Sequence, residues 1–303
     1  MPVSNRIAAL KAAVALTAAL ASSLGLARAG GAAPAPGAST APPAAGAGLP
    51  TLFLIGDSTV KVGTAGQLGW GDPVAAYFDP ARIRVVNRAR GGRSSRTFLT
   101  EGLWDRVLAE MKPGDFVLMQ FGHNDGGPVS GTPRARASLK GAGEETREIV
   151  ADAATGKKET VHTYGWYLRK YVADAKAKGA TAVVLSPIPR NRWGTDGKVL
   201  RAAGDYGKWA AEAARAEGAA FVDLNEIVAL RYEQIGQEPV KALFGGDWTH
   251  TNAAGAEINA ASVVAGIKGL KDHPLTRYLS PKAAWVAAFT TPAAAAAAAA
   301  VAQ

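Results

Sequence analysis

"TLFLIGDSTV", residues 51–60, is an apolar run that stops abruptly at Gly56-Asp57-Ser58-Thr59. Two readings of that stop compete. In the first, Asp57, Ser58 or Thr59 caps a following helix, because a side-chain oxygen there accepts an otherwise unpaired backbone N–H. In the second, Ser58 is a nucleophile displayed at the carboxyl end of a parallel strand, where open α/β sheets hold their ligands. The surroundings decide between them.

Downstream, "RIRVVN" (82–87), "DFVLMQFG" (115–122), "ATAVVLSPIP" (180–189) and "AAFVDLN" (219–225) are short runs rich in Val, Ile, Leu and Phe. Such runs suit strands buried on both faces. Helical spacing falls between and after them, at 104–111, 164–178, 206–217 and 252–270. In the second of these, Tyr164, Tyr167, Leu168, Tyr171, Val172 and Ala175 lie on one stripe, and Lys178-Gly179 forms a helix stop. Strands alternating with helices predict right-handed crossovers and a parallel sheet covered on both sides, a three-layer α/β/α fold. Residues 125–160 are polar and without clear period, and read as a long insertion over one face.

The ends of the chain have a different composition. Arg6 and Lys11 precede an apolar stretch at 12–26, and Ala27-Arg28-Ala29 supplies small residues for a signal peptidase, so 1–29 reads as an export signal. Residues 30–48 are an Ala/Pro/Gly-rich linker, 49–285 one folded domain, and 286–303 a low-complexity Ala-rich tail. The expectation is an exported protein, secreted or periplasmic, with no stable membrane association once the signal is removed.

Removing Arg6, Lys11 and Arg28, with no acid among the first 29 residues, takes the formal charge from +9 to +6. That excess is spread thinly and forms no basic block, which argues against nucleic-acid binding and leaves an acidic polymer substrate compatible. There is no cysteine, so disulfides, thiolate chemistry and cysteine-ligated metals are excluded.

If the sheet is parallel, the strand ends share one edge. These ends are Gly56-Asp57-Ser58, "NRARGGRSSRTF" (87–98) with Gly91-Gly92, and "FGHND" (121–125), with "GDWTHTNAAG" (246–255) standing before the last helix. A serine hydroxyl needs a base, and the chain offers four histidines. His162 and His273 lie in polar stretches and read as surface residues. His123 is either ligand-facing or a supporting residue. His250 follows Asp247 by three positions, a spacing that lets a carboxylate fix the imidazole tautomer in a tight turn. The Ser58 N–H, the Gly92 N–H and the Asn124 side chain are candidate oxyanion donors.

"GDST", the glycine of "GGRSSR", "GHND" and "DWTH", in that order, resemble the four blocks of the SGNH (GDSL) hydrolase superfamily. "NRARGGRSSRTF", "FGHNDGG" and "HTYGWYLRKYVADAKAKGATAVVLSPIPRN" are similar to its rhamnogalacturonan acetylesterase branch. The resemblance implies a flavodoxin-like five-stranded sheet and deacetylation of pectic polysaccharide without a cofactor or metal. It also assigns roles: Ser58 attacks, His250 is the base held by Asp247, and Gly92 and Asn124 join the Ser58 N–H in the oxyanion hole. Asp57 organises the turn.

For substrate contacts, Trp70, Trp193 and Trp248 stand in polar, Gly-rich surroundings where an indole either stacks on a sugar or closes an edge of the core. Arg93, Arg190 and Arg192 either meet uronate carboxylates or are solvated. Two other functions stay in view. A metal-dependent phosphoesterase needs several converging His and Asp ligands, with which this chain is poorly supplied. A non-catalytic polysaccharide-binding protein has no use for a nucleophile with its base.

Overall fold

A computed structural model describes residues 48–152, 154–201 and 206–290. The expected export signal, the linker up to residue 47 and the tail from residue 291 lie outside the described residues.

The elements, in chain order, are β1 (Thr51–Gly56), β2 (Arg84–Asn87), α1 (Ser95–Thr100), α2 (Leu103–Glu110), β3 (Phe116–Gln120), β4 (Thr146–Asp152), β5 (Lys157–His162), α3 (Tyr164–Ala177), β6 (Thr181–Leu185), α4 (Tyr206–Ala216), β7 (Ala220–Val222), α5 (Leu224–Ile235), α6 (Gln237–Lys241) and α7 (Ala253–Gly269). The sheet order is β2-β1-β3-β6-β7, and every pairing in it is parallel. β1 pairs with β2 on one side and β3 on the other, so the chain changes winding direction there. That switch point is where a doubly wound sheet leaves a crevice at its carboxyl edge.

The apolar strands bury both faces because alternate side chains point to opposite sides. Leu52, Leu54, Phe116, Leu118, Val183 and Leu185 face a layer built by α5 and α7. Phe53, Ile55, Val117, Met119, Ala182 and Val184 face α1 to α4. The expected stripe of α3 supplies much of this second layer, with Tyr164, Tyr167, Leu168, Tyr171, Val172 and Ala175 all buried.

The five expected strands and four helices are present, with some edges moved. The run at 219–225 yields only a three-residue strand, because Asp223 turns the chain into α5 by accepting the Glu226 N–H. The "RSSRTF" stretch becomes α1, whose start is fixed by a reciprocal cap between Ser94 and Thr97. The insertion at 125–160 is not without structure. It ends in the antiparallel hairpin β4–β5, of which only Ile149 and Val161 are buried. Packing also runs past residue 285: Val286 is buried, and the Phe289 N–H donates to the Ala265 carbonyl at 2.9 Å.

Candidate active site

The sharp stop after β1 is built from its smallest residue. A Cβ on Gly56 would lie 2.4 Å from the Gln120 carbonyl oxygen and 2.5 Å from a Val60 methyl, so no side chain fits. Asp57 follows, fully buried. Its Oδ1 accepts the Thr59 N–H at 2.9 Å and the Thr59 hydroxyl at 2.7 Å. Its Oδ2 faces His123 Nδ1 at 3.3 Å. Burial works against the Asp57 anion, but His123 and the Thr59 donors outweigh it and hold the carboxyl below its usual range. No helix follows the stop, so Asp57 holds a tight turn instead of capping one, and the Ser58 side chain takes no part in holding that turn.

The Ser58 hydroxyl points at His250, with Oγ 2.7 Å from Nε2. On the other side of the ring, Nδ1 is 2.7 Å from Asp247 Oδ2. A carboxylate only accepts, so Nδ1 carries the proton and Nε2 presents its lone pair to the serine. Asp247 is fixed in turn: Oδ1 accepts the backbone N–H of Thr249 at 2.6 Å and of His250 at 2.8 Å. Gln67 Nε2 donates to Oδ2 at 3.1 Å, a contact that sequence reasoning did not anticipate, since it joins positions 180 apart. Partial burial would raise the Asp247 pKa, but the hydrogen bonds from His250 and Thr249 win and hold it at about 2.

Ser58, Gly92, Asn124 and His250 line one cleft of about 600 Å³. Gly92 sits at φ +77°, a left-handed turn conformation that favours glycine. Asn124 is buried and donates one amide hydrogen to the Arg93 carbonyl at 3.0 Å, which fixes the orientation of the amide. Beside Asn124, Asp125 accepts from the Ser95 N–H at 3.1 Å and from Ser138 Oγ at 3.0 Å, tying the end of β3 to the start of α1.

Several expected substrate contacts go elsewhere. Trp70 is fully buried, and its indole N–H donates to Gln120 Oε1 at 2.9 Å, so it supports the site from below and meets no sugar. Trp193 packs on the α5/α7 layer and donates to Asn191 Oδ1 at 2.8 Å, away from the cleft. The Arg93 side chain pairs with Glu101 at 2.8 Å, and only its carbonyl serves the site. Trp248 is exposed, with the Arg192 guanidinium 4.9 Å above its ring.

Of the two histidines expected at the surface, one is buried and the other half-buried. His273 is buried and accepts the Leu275 N–H at 3.3 Å, and His162 stacks on Trp166 at 3.7 Å.

In place of Arg93, the cleft is lined by Arg134 and Arg136, together with Arg190, which the sequence had already marked. The first two come from the polar insertion, where a sequence without period gave no hint of where they fold. Arg190 Nε donates to Thr249 Oγ1 at 3.1 Å, linking it to the histidine turn. Burial, then Arg134 and Arg93, push the Arg136 pKa down; burial, then Arg192, do the same to Arg190. A second cleft of about 500 Å³ shares His123 and Arg190 with the first.

A hydroxyl, an imidazole and a carboxylate in line at the carboxyl edge of a doubly wound parallel sheet is the arrangement of a serine hydrolase. The chain belongs to the GDSL-like lipase/acylhydrolase family, whose profile matches residues 54–258.

It is similar to the rhamnogalacturonan acetylesterase of Emericella nidulans, 33% identical over 217 residues that cover 72% of this chain and 84% of that protein. It is also similar to the probable rhamnogalacturonan acetylesterase YesY of Bacillus subtilis, 32% identical over 232 residues, 74% of this chain and 95% of that one. Among solved structures it resembles the YxiM protein of Bacillus subtilis, with TM-score 0.58 and 26% identity over 73% of this chain; the match spans only 56% of that protein.

Proposed function

We propose that this chain is an exported carbohydrate esterase that removes O-acetyl groups from an acidic, pectin-type polysaccharide by acyl transfer through Ser58. The observation that carries the reading is the unbroken line from Asp247 through His250 to Ser58, opening on a cleft lined by Arg134, Arg136 and Arg190. The named acetylesterases among its relatives support the acyl group, and the arginines support the charge of the polymer.

His250 Nε2 takes the Ser58 proton as Oγ attacks the acetyl carbonyl. The charge that develops on oxygen is met by the Ser58 and Gly92 N–H groups and the Asn124 amide. Collapse of the tetrahedral intermediate breaks the bond to the sugar oxygen, which leaves with the proton from His250. Water, deprotonated by the same nitrogen, then attacks the acetyl-serine, and acetate is released. Asp247 remains ionised throughout and stabilises the imidazolium formed in each half. Trp248 is the remaining aromatic candidate for stacking on a sugar ring.

Acetate release from acetylated rhamnogalacturonan, acetylated xylan and 4-nitrophenyl acetate tests this. The charged polymer should be the best substrate, Ser58→Ala should abolish release from all three, and chelation should leave it unchanged. Equal turnover of the neutral xylan would count against an acidic substrate. Loss of activity with EDTA would favour a metal enzyme, and no turnover of any ester would leave a binding protein.

A further inference from the structure

One guanidinium joins the first loop of the 125–160 insertion to the hairpin that ends it. Arg96, on α1, is only 3% exposed. Its Nη1 donates to the carbonyls of Val129 at 2.8 Å and Ala137 at 2.9 Å. Its Nε and Nη2 take the two carboxylate oxygens of Glu159 on β5, at 2.6 and 2.9 Å. The loop between those carbonyls is closed at its base, where the Ala137 N–H donates to the Pro128 carbonyl at 3.3 Å. Ser94 Oγ adds a further bond, at 2.5 Å, to the Arg136 carbonyl. One side chain thus fastens both stems of a closed loop and the hairpin that follows it.

What that loop carries explains the cost of fastening it. Burying a charge is unfavourable unless it is paired, and a buried ion pair is often no more stabilising than apolar residues of similar volume. Stability alone is therefore a weak reason for Arg96. Between its clasped stems, however, the loop turns Arg134 and Arg136 into the cleft of Ser58. Arg136 Nη1 lies 3.5 Å from where a Cβ on Gly92 would be. Neither guanidinium has a carboxylate partner among the described residues. With Arg93 close by, these cations repel one another, and an unfastened loop would let them move apart and away from the cleft.

We infer that Arg96, through Glu159, is a positioning residue that holds the 128–137 loop as an anion-reading lip of the catalytic cleft. The role rests on the acidic-substrate reading above. It prepays the ordering of the loop, so that a carboxylate on the substrate meets two guanidinium groups already in place.

Competitive inhibition of 4-nitrophenyl acetate hydrolysis by polygalacturonate, which has uronate groups and no acetyl ester, isolates the lip from the chemistry. Glu159→Gln should leave kcat/KM for the small neutral ester within about twofold and raise Ki about tenfold, the effect of one lost charge-assisted contact. Arg96→Lys keeps the charge without the fourfold donation and should raise Ki likewise, which keeps the test usable if the first variant folds poorly. In an Arg134→Ala/Arg136→Ala background, Glu159→Gln should change Ki no further.

An unchanged Ki in Glu159→Gln, an equal effect in both backgrounds, or no inhibition of the unaltered enzyme would overturn the positioning role. If polygalacturonate inhibits through these residues while no acetate is released from any acetylated pectin, the functional reading fails and the lip stands. Acetate release with a Ki indifferent to Glu159 is the reverse case.

Discussion

The peptide between Gly56 and Thr59 separates two jobs that a single polar residue would confuse. Asp57 takes the buried hydrogen bonds that hold the turn, and Ser58 is left with one partner, the lone pair of His250. Replacing Asn124 by Ala is expected to slow turnover by roughly 10²-fold or more with little change in stability, as steady-state kinetics beside a thermal melt would record. Asp247→Asn allows the ring to adopt the opposite tautomer and should cost about 10⁴ in kcat. Because the Asp247 carboxyl is held at about 2, its contribution is constant from pH 4 upward, and the pH profile of kcat in that range should show no inflection from it. The proposed site residues were legible in the sequence because they stand in short polar blocks at strand ends or beside the last helix, and only four histidines offer a base. Trp70 was not, because its destination is set by Gln120, a contact across 50 positions that its Gly-rich neighbours do not reveal.

At the scale of elements, the joint between β3 and α1 is an unusual place for a charge. Asp125 is completely buried, and desolvation pushes its pKa up to about 6 against hydrogen bonds from Ser95 and Ser138, with the nearby Asp57 anion adding to the rise. The folded-state value thus lies above the unfolded one, so the native state holds the proton more tightly. Its contribution to stability is fully present below about pH 4 and is lost as pH rises through 6. Urea titrations at pH 4 and pH 7 should show wild type losing up to ~3 kcal/mol relative to Asp125→Asn across that interval; parallel behaviour of the two proteins would exclude the effect. The strands were readable as continuous apolar runs, since both faces of the sheet are covered, and α2, α3, α4 and α7 from helical spacing, whereas α1, α5 and α6 were not read. The hairpin β4–β5 was not, because a ribbon with only Ile149 and Val161 buried carries almost no periodic signal. The lip arginines went unread for a related reason: an irregular loop takes its path from Arg96, which lies some 33 to 41 positions earlier.

For the whole molecule, the positive charge that bears on the proposed substrate is that of Arg134, Arg136 and Arg190 along the cleft and its lip. Raising the ionic strength shortens the screening length from about 8 Å toward ~3 Å. KM for an acetylated acidic polymer should then rise while hydrolysis of 4-nitrophenyl acetate stays level; a common response of the two substrates would place the effect elsewhere than in charge recognition. Long-range assembly has a further consequence. Ser58 leaves the first strand of the domain, and His250 stands just ahead of the final long helix, 192 positions later. If the two act as proposed, a chain emerging from synthesis carries the serine early but has no base to ionise it until nearly the entire domain has emerged. Ester cleavage is thus the last property the protein acquires, and the first regain of turnover on dilution from denaturant should coincide with docking of the C-terminal helix rather than with formation of the sheet.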